Sequence, residues 1–88
     1  MLNTIFSRKT AKFLEKSDKV LAQRLFTAAQ ALGSEPFPHD VKRVENQFFD
    51  NEKVFRIRVG DFRILYCVSY EKRRVLVVNI DKRPRAYD

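Results

Sequence analysis

The sequence predicts an α+β fold in which an N-terminal helical hairpin packs on a small twisted antiparallel sheet. Three observations predict it. Apolar and polar residues alternate on both sides of Gly60 and Asp61, which is typical of a β-hairpin with one buried face. Residues 8–32 carry apolar side chains at helical spacing, and residues 74–80 are rich in β-branched types. Because 88 residues support one hydrophobic core, we expect a single domain over residues 1–88.

The N-terminal third predicts a short strand followed by two helices. Residues 1–6 form the candidate strand, and Ser7 is placed to cap the first helix. Ser17 and Asp18 offer a break and a second cap, and Gly33 offers a C-terminal stop. The second helix spaces its apolar residues three or four apart, at Val20, Leu21, Leu25, Ala28, Ala29 and Leu32. These apolar stripes need a sheet face to cover.

The predicted central hairpin has one apolar face and one basic face. With a two-residue turn, Ile57 pairs with Ile64 and Arg58 with Arg63, and Arg56 shares the basic face. The apolar face consists of Phe55, Ile57, Val59, Phe62, Ile64 and Tyr66. Opposed like charges destabilise a strand pair, and a bound anion would remove that cost. The alternative is a solvated outer face whose arginine stems cover apolar surface.

The segments that flank the hairpin are less regular. Residues 34–39 contain two prolines and are predicted to be a connector that includes His39 as an exposed loop residue. Residues 40–47 start a candidate strand, and residues 48–52 resemble a loop or turn. Residues 70–73 predict another turn before the strand at residues 74–80.

The third strand of the predicted sheet follows from its alternation. A three-residue loop would place alternate residues on the core face, namely Leu76, Val78 and Ile80. The opposite face would then carry an apolar strip of Leu65, Val75 and Val77, beside Cys67. An apolar strip that the chain cannot cover indicates a partner, most simply an amphipathic helix laid in a groove on the sheet.

The net charge of +7 is concentrated in the C-terminal part of the chain. Residues 1–52 contain 8 basic and 7 acidic residues, whereas residues 53–88 contain 10 basic and 4 acidic residues. Such a confined basic field is typical of nucleic-acid binding, although an acidic protein would also be attracted. Alternation places Asp81 and Arg83 on the face of Arg58 and Arg63.

The basic tail that follows the third strand contains Lys82, Arg83, Arg85 and Tyr87. Because the tail leaves a strand beside the arginine hairpin, its charges are expected at the same place. A merely exposed, disordered tail is the alternative.

Composition excludes several classes of protein. The longest apolar run, residues 64–68, is far shorter than the roughly 20 residues that cross a bilayer, and the N-terminus has no signal-peptide pattern. We therefore expect a cytoplasmic protein. Cys67 is the only cysteine and His39 the only histidine, so no structural zinc site, internal disulfide or cofactor is expected.

The order of elements and two motifs resemble the RelE/ParE superfamily of toxins from toxin–antitoxin pairs, on the RelE side and archaeal RelE in particular. The motifs are F-R-I-R-V-G-D-F-R-I-L-Y at residues 55–66 and K-R-P-R-A-Y at residues 82–87. The resemblance implies a microbial-ribonuclease-like fold and an enzyme that enters the ribosomal A site and cuts messenger RNA. In that reaction the 2′-hydroxyl attacks the adjacent phosphate, the 5′-oxygen leaves, and a cyclic phosphate forms.

The resemblance also implies roles for individual residues. The catalytic residues would be Arg58, Arg63, Arg83 and Tyr87. The RNA-binding residues would be Arg56, Lys82 and Arg85. A cognate antitoxin would wrap the sheet with a helix and an extended segment, which agrees with a binding strip at Leu65, Val75 and Val77.

The general base is open at this point. Some RelE members have lysines where this chain has Arg56 and Arg58, and a lysine can lose its proton whereas arginine effectively cannot. Tyr87 is a candidate base if Arg83 or Arg85 acidifies its phenol, and positioning by the ribosome is the alternative.

Two other functions remain open. ParE-type relatives poison DNA gyrase by protein contact and generally lack the basic catalytic set, and a decayed toxin would only bind its antitoxin. The arginines at positions 58, 63 and 83 favour the endoribonuclease.

Overall fold

Within residues 1–82, which are the residues that the computed structural model describes, two helices pack on a five-stranded sheet. The elements in chain order are β1 (Asn3–Phe6), α1 (Arg8–Lys16), α2 (Lys19–Ala31), β2 (Lys42–Phe49), β3 (Glu52–Val59), β4 (Phe62–Ser69) and β5 (Arg74–Lys82). The strand order is β1-β5-β4-β3-β2; β1 runs parallel to β5, and all other neighbours are antiparallel. The predicted α+β fold is confirmed.

Both predicted helix caps are confirmed. The Ser7 hydroxyl accepts a hydrogen bond from the Thr10 amide at 3.2 Å, and the Asp18 carboxylate accepts one from the Leu21 amide at 2.9 Å. Thr10 is fully buried, and its hydroxyl lies 3.3 Å from the Val77 carbonyl oxygen. This contact ties the first turn of α1 to β5.

Gly33 follows α2 as predicted, and it also lets β1 approach closely. The Leu2 amide donates to the Gly33 carbonyl at 2.9 Å. A Cβ atom at position 33 would overlap the Leu2 carbonyl oxygen, so any larger residue would push β1 away from the end of α2.

The core lies between the helices and one face of the sheet. Leu25 of α2 is fully buried against Ile64 and Tyr66 of β4 and Val75 and Val77 of β5. The predicted hairpin register is confirmed: its Cα pairs are Phe55 with Tyr66, Ile57 with Ile64, Arg58 with Arg63, and Val59 with Phe62. Gly60 has φ of 61°, and Asp61 is not among the residues with positive φ, which fits a type II′ turn.

The predicted facing of β5 is wrong in its first half. Val75 and Val77 are fully buried under the helices, and Leu76 pairs with Cys67 on the other face. The connection from β4 has four residues, 70–73, because Ser69 pairs with Arg74. A register shift at Leu65 and Tyr66 then reverses the facing of β5 once more, so that Ile80 lies in the core as predicted. The apolar strip of Leu65, Val75 and Val77 is therefore not a surface; only Leu65 lies on the uncovered face.

Strand β2 extends further than the sequence predicts. It includes Phe48 and Phe49, and the turn to β3 consists of Asp50 and Asn51 with φ of 53° and 66°. Positive φ at both turn residues is the type I′ pattern. The ladder between β2 and β3 is irregular between Arg43 and Phe48, which explains the poor alternation of this segment.

Candidate functional site

The face of β3, β4 and β5 that points away from the helices carries the arginines of the hairpin. Arg58, Arg63 and Asp81 form one row across the three strands, because Arg63 pairs with both neighbours. We call the surface formed by Arg56, Arg58, Arg63, Leu65 and Asp81 the basic face. It is positioned by strand alternation alone, since Ile57 and Ile64 anchor the same strands in the core.

Arg63 and Asp81 form a two-point ion pair. The Arg63 Nε–H donates to Asp81 Oδ1 at 3.0 Å, and Nη2 donates to Oδ2 at 3.4 Å. The two side chains are 25% and 37% exposed, so solvent still reaches both groups. A guanidinium has five N–H donors, and this pairing leaves three of them free.

Arg58 lies on the opposite side of Arg63 from Asp81. Its side chain is exposed, and within residues 1–82 it has no salt bridge. Arg56 is half-buried and lies in the next row, opposite Leu65 on β4 and Lys42 on β2. Three arginines beside one carboxylate give this face an excess of positive charge, which is the property that attracts anions.

The structure separates Lys82 from this cluster. Lys82 pairs with Phe62, so alternation places its side chain on the helix side of the sheet, where it is exposed. The predictions for Arg83, Arg85 and Tyr87 lie outside the described residues.

Arg24 of α2 is a basic residue near the hairpin that no sequence pattern singles out. A Cβ atom at Gly60 would lie 3.1 Å from both terminal nitrogens of Arg24, so the guanidinium packs against the β3–β4 turn. Its position depends on how α2 crosses the sheet, which no local pattern reveals.

Two titratable groups near the sheet are held neutral. Burial, and then the nearby Asp40 carboxylate, raise the pKa of Tyr66 far above its ordinary value, and its hydroxyl donates to the Pro36 carbonyl at 2.6 Å. Burial, followed by the Glu52 charge, raises the pKa of Cys67 to about 11. Both side chains therefore stay protonated at neutral pH.

Within residues 1–82, no cluster of three or more His, Cys, Asp or Glu side chains has a geometry that could hold a metal ion. Neither α1 nor α2 is long and apolar enough to cross a membrane. His39 lies exposed in the connector before β2, as its sequence context predicts.

Comparisons of the sequence with known proteins found a matching family model and a similar protein. Residues 4–87 match the sequence model of the ParE toxin of type II toxin–antitoxin systems, parDE. A candidate toxin, RelE1, from Methanocaldococcus jannaschii is 31% identical over 61 residues, which are 66% of this chain and 63% of that protein. The aligned part therefore spans less than two thirds of this relative.

Solved structures share the fold along nearly the whole chain. A chain in the archaeal RelE–RelB complex from Pyrococcus horikoshii superposes with a TM-score of 0.78 at 22% identity, covering 96% of this chain and 97% of that one. A chain in the toxin–antitoxin complex RelBE2 from Mycobacterium tuberculosis gives 0.73 at 22% identity, covering 93% and 98%.

Proposed function

This chain belongs to the RelE/ParE superfamily of type II toxins, and from that premise we propose that it is an endoribonuclease that cuts messenger RNA on the ribosome. The observation that carries the proposal is the row of Arg58 and Arg63 on the exposed face of the sheet. Opposed like charges are a cost that folding alone does not require; Asp81 offsets part of it, and a phosphodiester between the two guanidinium groups would offset the rest.

The arginines would act by binding charge. Attack of the RNA 2′-hydroxyl on phosphorus forms a new O–P bond, the bond to the 5′-oxygen breaks, and the phosphate carries extra negative charge in between. Arg58 and the free donors of Arg63 would stabilise that charge, and Arg56 would hold a neighbouring phosphate. We propose that Tyr87, as a phenolate stabilised by the charge of Arg83 or Arg85, accepts the 2′-hydroxyl proton, that water protonates the leaving 5′-oxygen, and that the ribosome orients the message. Such an enzyme would act in the cytoplasm and would need no metal.

The proposed partner is a cognate antitoxin. The solved relatives from Pyrococcus horikoshii and Mycobacterium tuberculosis are toxin–antitoxin complexes, which supports an antitoxin for this chain. An antitoxin that laid an amphipathic helix on the sheet would cover Leu65 and screen the arginines beside it. Exposed Phe48 and Phe49 on β2 offer further apolar contact.

Gyrase inhibition is the second candidate function, and the match to the ParE sequence model favours it. The basic face argues against it, because ParE-type toxins generally lack the basic catalytic set. The endoribonuclease would cut messenger RNA, whereas a ParE-type toxin would inhibit DNA gyrase.

Two assays on the purified full chain separate these candidates. Primer extension on a translated message is expected to give cleavage at ribosome-bound codons and none on naked RNA. Supercoiling by gyrase should be unaffected. Gyrase inhibition without cleavage would overturn the nuclease proposal and favour the ParE-type function.

A further inference from the structure

We propose that Asp81 is a positioning residue for the RNA-cleaving site, holding the Arg63 guanidinium at the angle at which its free N–H groups meet the scissile phosphate. The role of Asp81 rests on the proposed function. It adds to the site a carboxylate, whose charge is opposite to that of the arginines. A carboxylate beside a phosphate-binding site is unfavourable on charge alone, so its presence there calls for a reason.

The geometry of the pair supplies the reason. Asp81 engages Nε and Nη2 of Arg63, at 3.0 Å and 3.4 Å, and this side-by-side contact fixes both the direction and the plane of the guanidinium. The donors that remain lie on Nη1 and on the outer side of Nη2. An unpaired arginine side chain would sample many rotamers and would have to be ordered by the substrate.

The position of Asp81 in the row also separates the two arginines. Arg58 is on β3 and Asp81 on β5, with Arg63 between them on β4. Because Arg63 points its Nε side to Asp81, its guanidinium is drawn toward β5 and away from Arg58. A phosphate bound between the two cations would then be contacted by Arg58 on one side and by the remaining donors of Arg63 on the other.

Folding stability gives only a modest reason for this ion pair. Both side chains are solvent-accessible, at 25% and 37%, and solvent screening limits the contribution of such a pair to stability even when its geometry is two-point. The second ion pair within residues 1–82 joins Lys72, in the β4–β5 turn, to Asp50, in the β2–β3 turn, at 3.2 Å. Its side chains are more exposed, at 45% and 58%. It is a matched control for the loss of one surface carboxylate.

If Asp81 acted only through its charge, its removal would raise the cleavage rate, whereas if it acts by positioning Arg63, the same substitution would lower that rate. Asp81→Asn removes a negative charge beside the RNA, so simple electrostatics predicts equal or faster cleavage and tighter RNA binding. Loss of positioning predicts slower cleavage, because asparagine holds the guanidinium more weakly than a carboxylate does.

The test is single-turnover cleavage of messenger on programmed ribosomes by the full chain. We expect Asp81→Asn to lower the maximal single-turnover rate constant on the order of 10-fold to 10²-fold, the scale on which misplaced catalytic groups act, with the half-saturating concentration unchanged or lower. Asp50→Asn should cleave at the wild-type rate. Asp81→Glu, which keeps the carboxylate, should recover part of the loss. In an Arg63→Ala background, Asp81→Asn should cause no further decrease, because Asp81 acts through Arg63.

A second readout does not depend on cleavage. Exchange of the Arg63 Nε–H with water, followed by NMR, should be slow in the wild type and in Asp50→Asn and fast in Asp81→Asn. The inference is overturned if Asp81→Asn cleaves as fast as the wild type or faster, or if it leaves this exchange unchanged. If the wild type itself does not cleave ribosome-bound message, the proposed function fails, and the catalytic role of Asp81 fails with it. An active wild type with an equally active Asp81→Asn overturns the inference alone.

Discussion

The two faces of the sheet are built from the same three strands and have opposite properties. On the helix side, Ile64, Tyr66, Val75 and Val77 are fully buried. On the basic face, Arg58 is exposed and Arg63 remains accessible beside Asp81. Burial on one face stabilises the fold, which leaves the other face free to carry like charges at paired positions of neighbouring strands. Stability and activity should therefore respond to different substitutions.

The largest expected effect on stability belongs to the helix side. Leu25 is 0% exposed, and Leu25→Ala should lower the free energy of unfolding by about 2–5 kcal/mol, because it leaves a cavity between α2 and the sheet. Chemical denaturation measures this loss. Val20 lies on the same helix and is 80% exposed, so Val20→Ala should change stability by no more than roughly 0.5 kcal/mol. Equal losses from the two variants would contradict the burial assigned to α2.

Substitutions on the basic face should reverse this pattern. Arg58→Ala and Arg63→Ala should each lower RNA cleavage about 10²-fold to 10³-fold, as loss of a transition-state donor does, and should relieve growth arrest on expression. Their melting temperatures should stay close to the wild-type value. Lys72→Ala removes one positive charge at the opposite end of β4 and should remain toxic. Full toxicity of both arginine variants would exclude the basic face as the site.

A smaller loss of stability is expected when the hydrogen bond between Tyr66 and the connector at residues 34–39 is removed. Tyr66 is fully buried and donates to Pro36, so Tyr66→Phe should lower the free energy of unfolding by about 0.5–1.5 kcal/mol. Chemical denaturation measures this loss, and Tyr70→Phe should be neutral in the same experiment because Tyr70 is 65% exposed. A neutral Tyr66→Phe would mean that this hydrogen bond contributes no net stability.

The smallest effect at neutral pH belongs to Cys67, because its contribution to stability changes only in alkaline solution. Folding raises the pKa of this thiol from 9.0 to about 11, so between these pH values the unfolded chain binds fewer protons than the folded one. The contribution is fully present below pH 9.0 and is lost as the pH rises to about 11. Cys67→Ala should remove this decline and leave only the later one from Tyr66, whose ordinary pKa is 10.0. Denaturation curves from pH 8 to 11 compare the slopes, and identical slopes would contradict the assignment.

The features that the sequence predicted correctly are local. The caps at Ser7 and Asp18 depend on residues within one helical turn, and the pairing of Arg58 with Arg63 depends on a two-residue turn. Each is specified by side chains close in the chain, so a pattern of a few residues was sufficient.

The features that the sequence did not predict depend on the register between strands that are distant in the chain. The connection before β5 has four residues, which reverses the predicted facing of Val75 and Val77, and the irregularity at Leu65 and Tyr66 reverses it again. The two shifts cancel, and for that reason the facing of Ile80 and Asp81 was predicted correctly from an incorrect loop length. Strand β2 was underestimated because Asn46, with φ of 59°, interrupts its alternation.

In the candidate site as well, the local features were predicted from the sequence, and the contact between distant residues was not. Strand alternation predicted that Arg56, Arg58 and Arg63 share one face, and the register confirms it. The ion pair of Arg63 with Asp81 joins residues 18 positions apart, and its geometry could not be derived from composition or spacing.

The most direct test of the separation between the two faces is the cleavage rate of the double variant Arg58→Ala/Arg63→Ala on ribosomes carrying a defined message, measured with its melting temperature. We predict a folded protein with a wild-type melting temperature and no cleavage above the uncatalysed background. Cleavage at the wild-type rate by this folded variant would contradict the account, because the basic face would then play no part in the reaction.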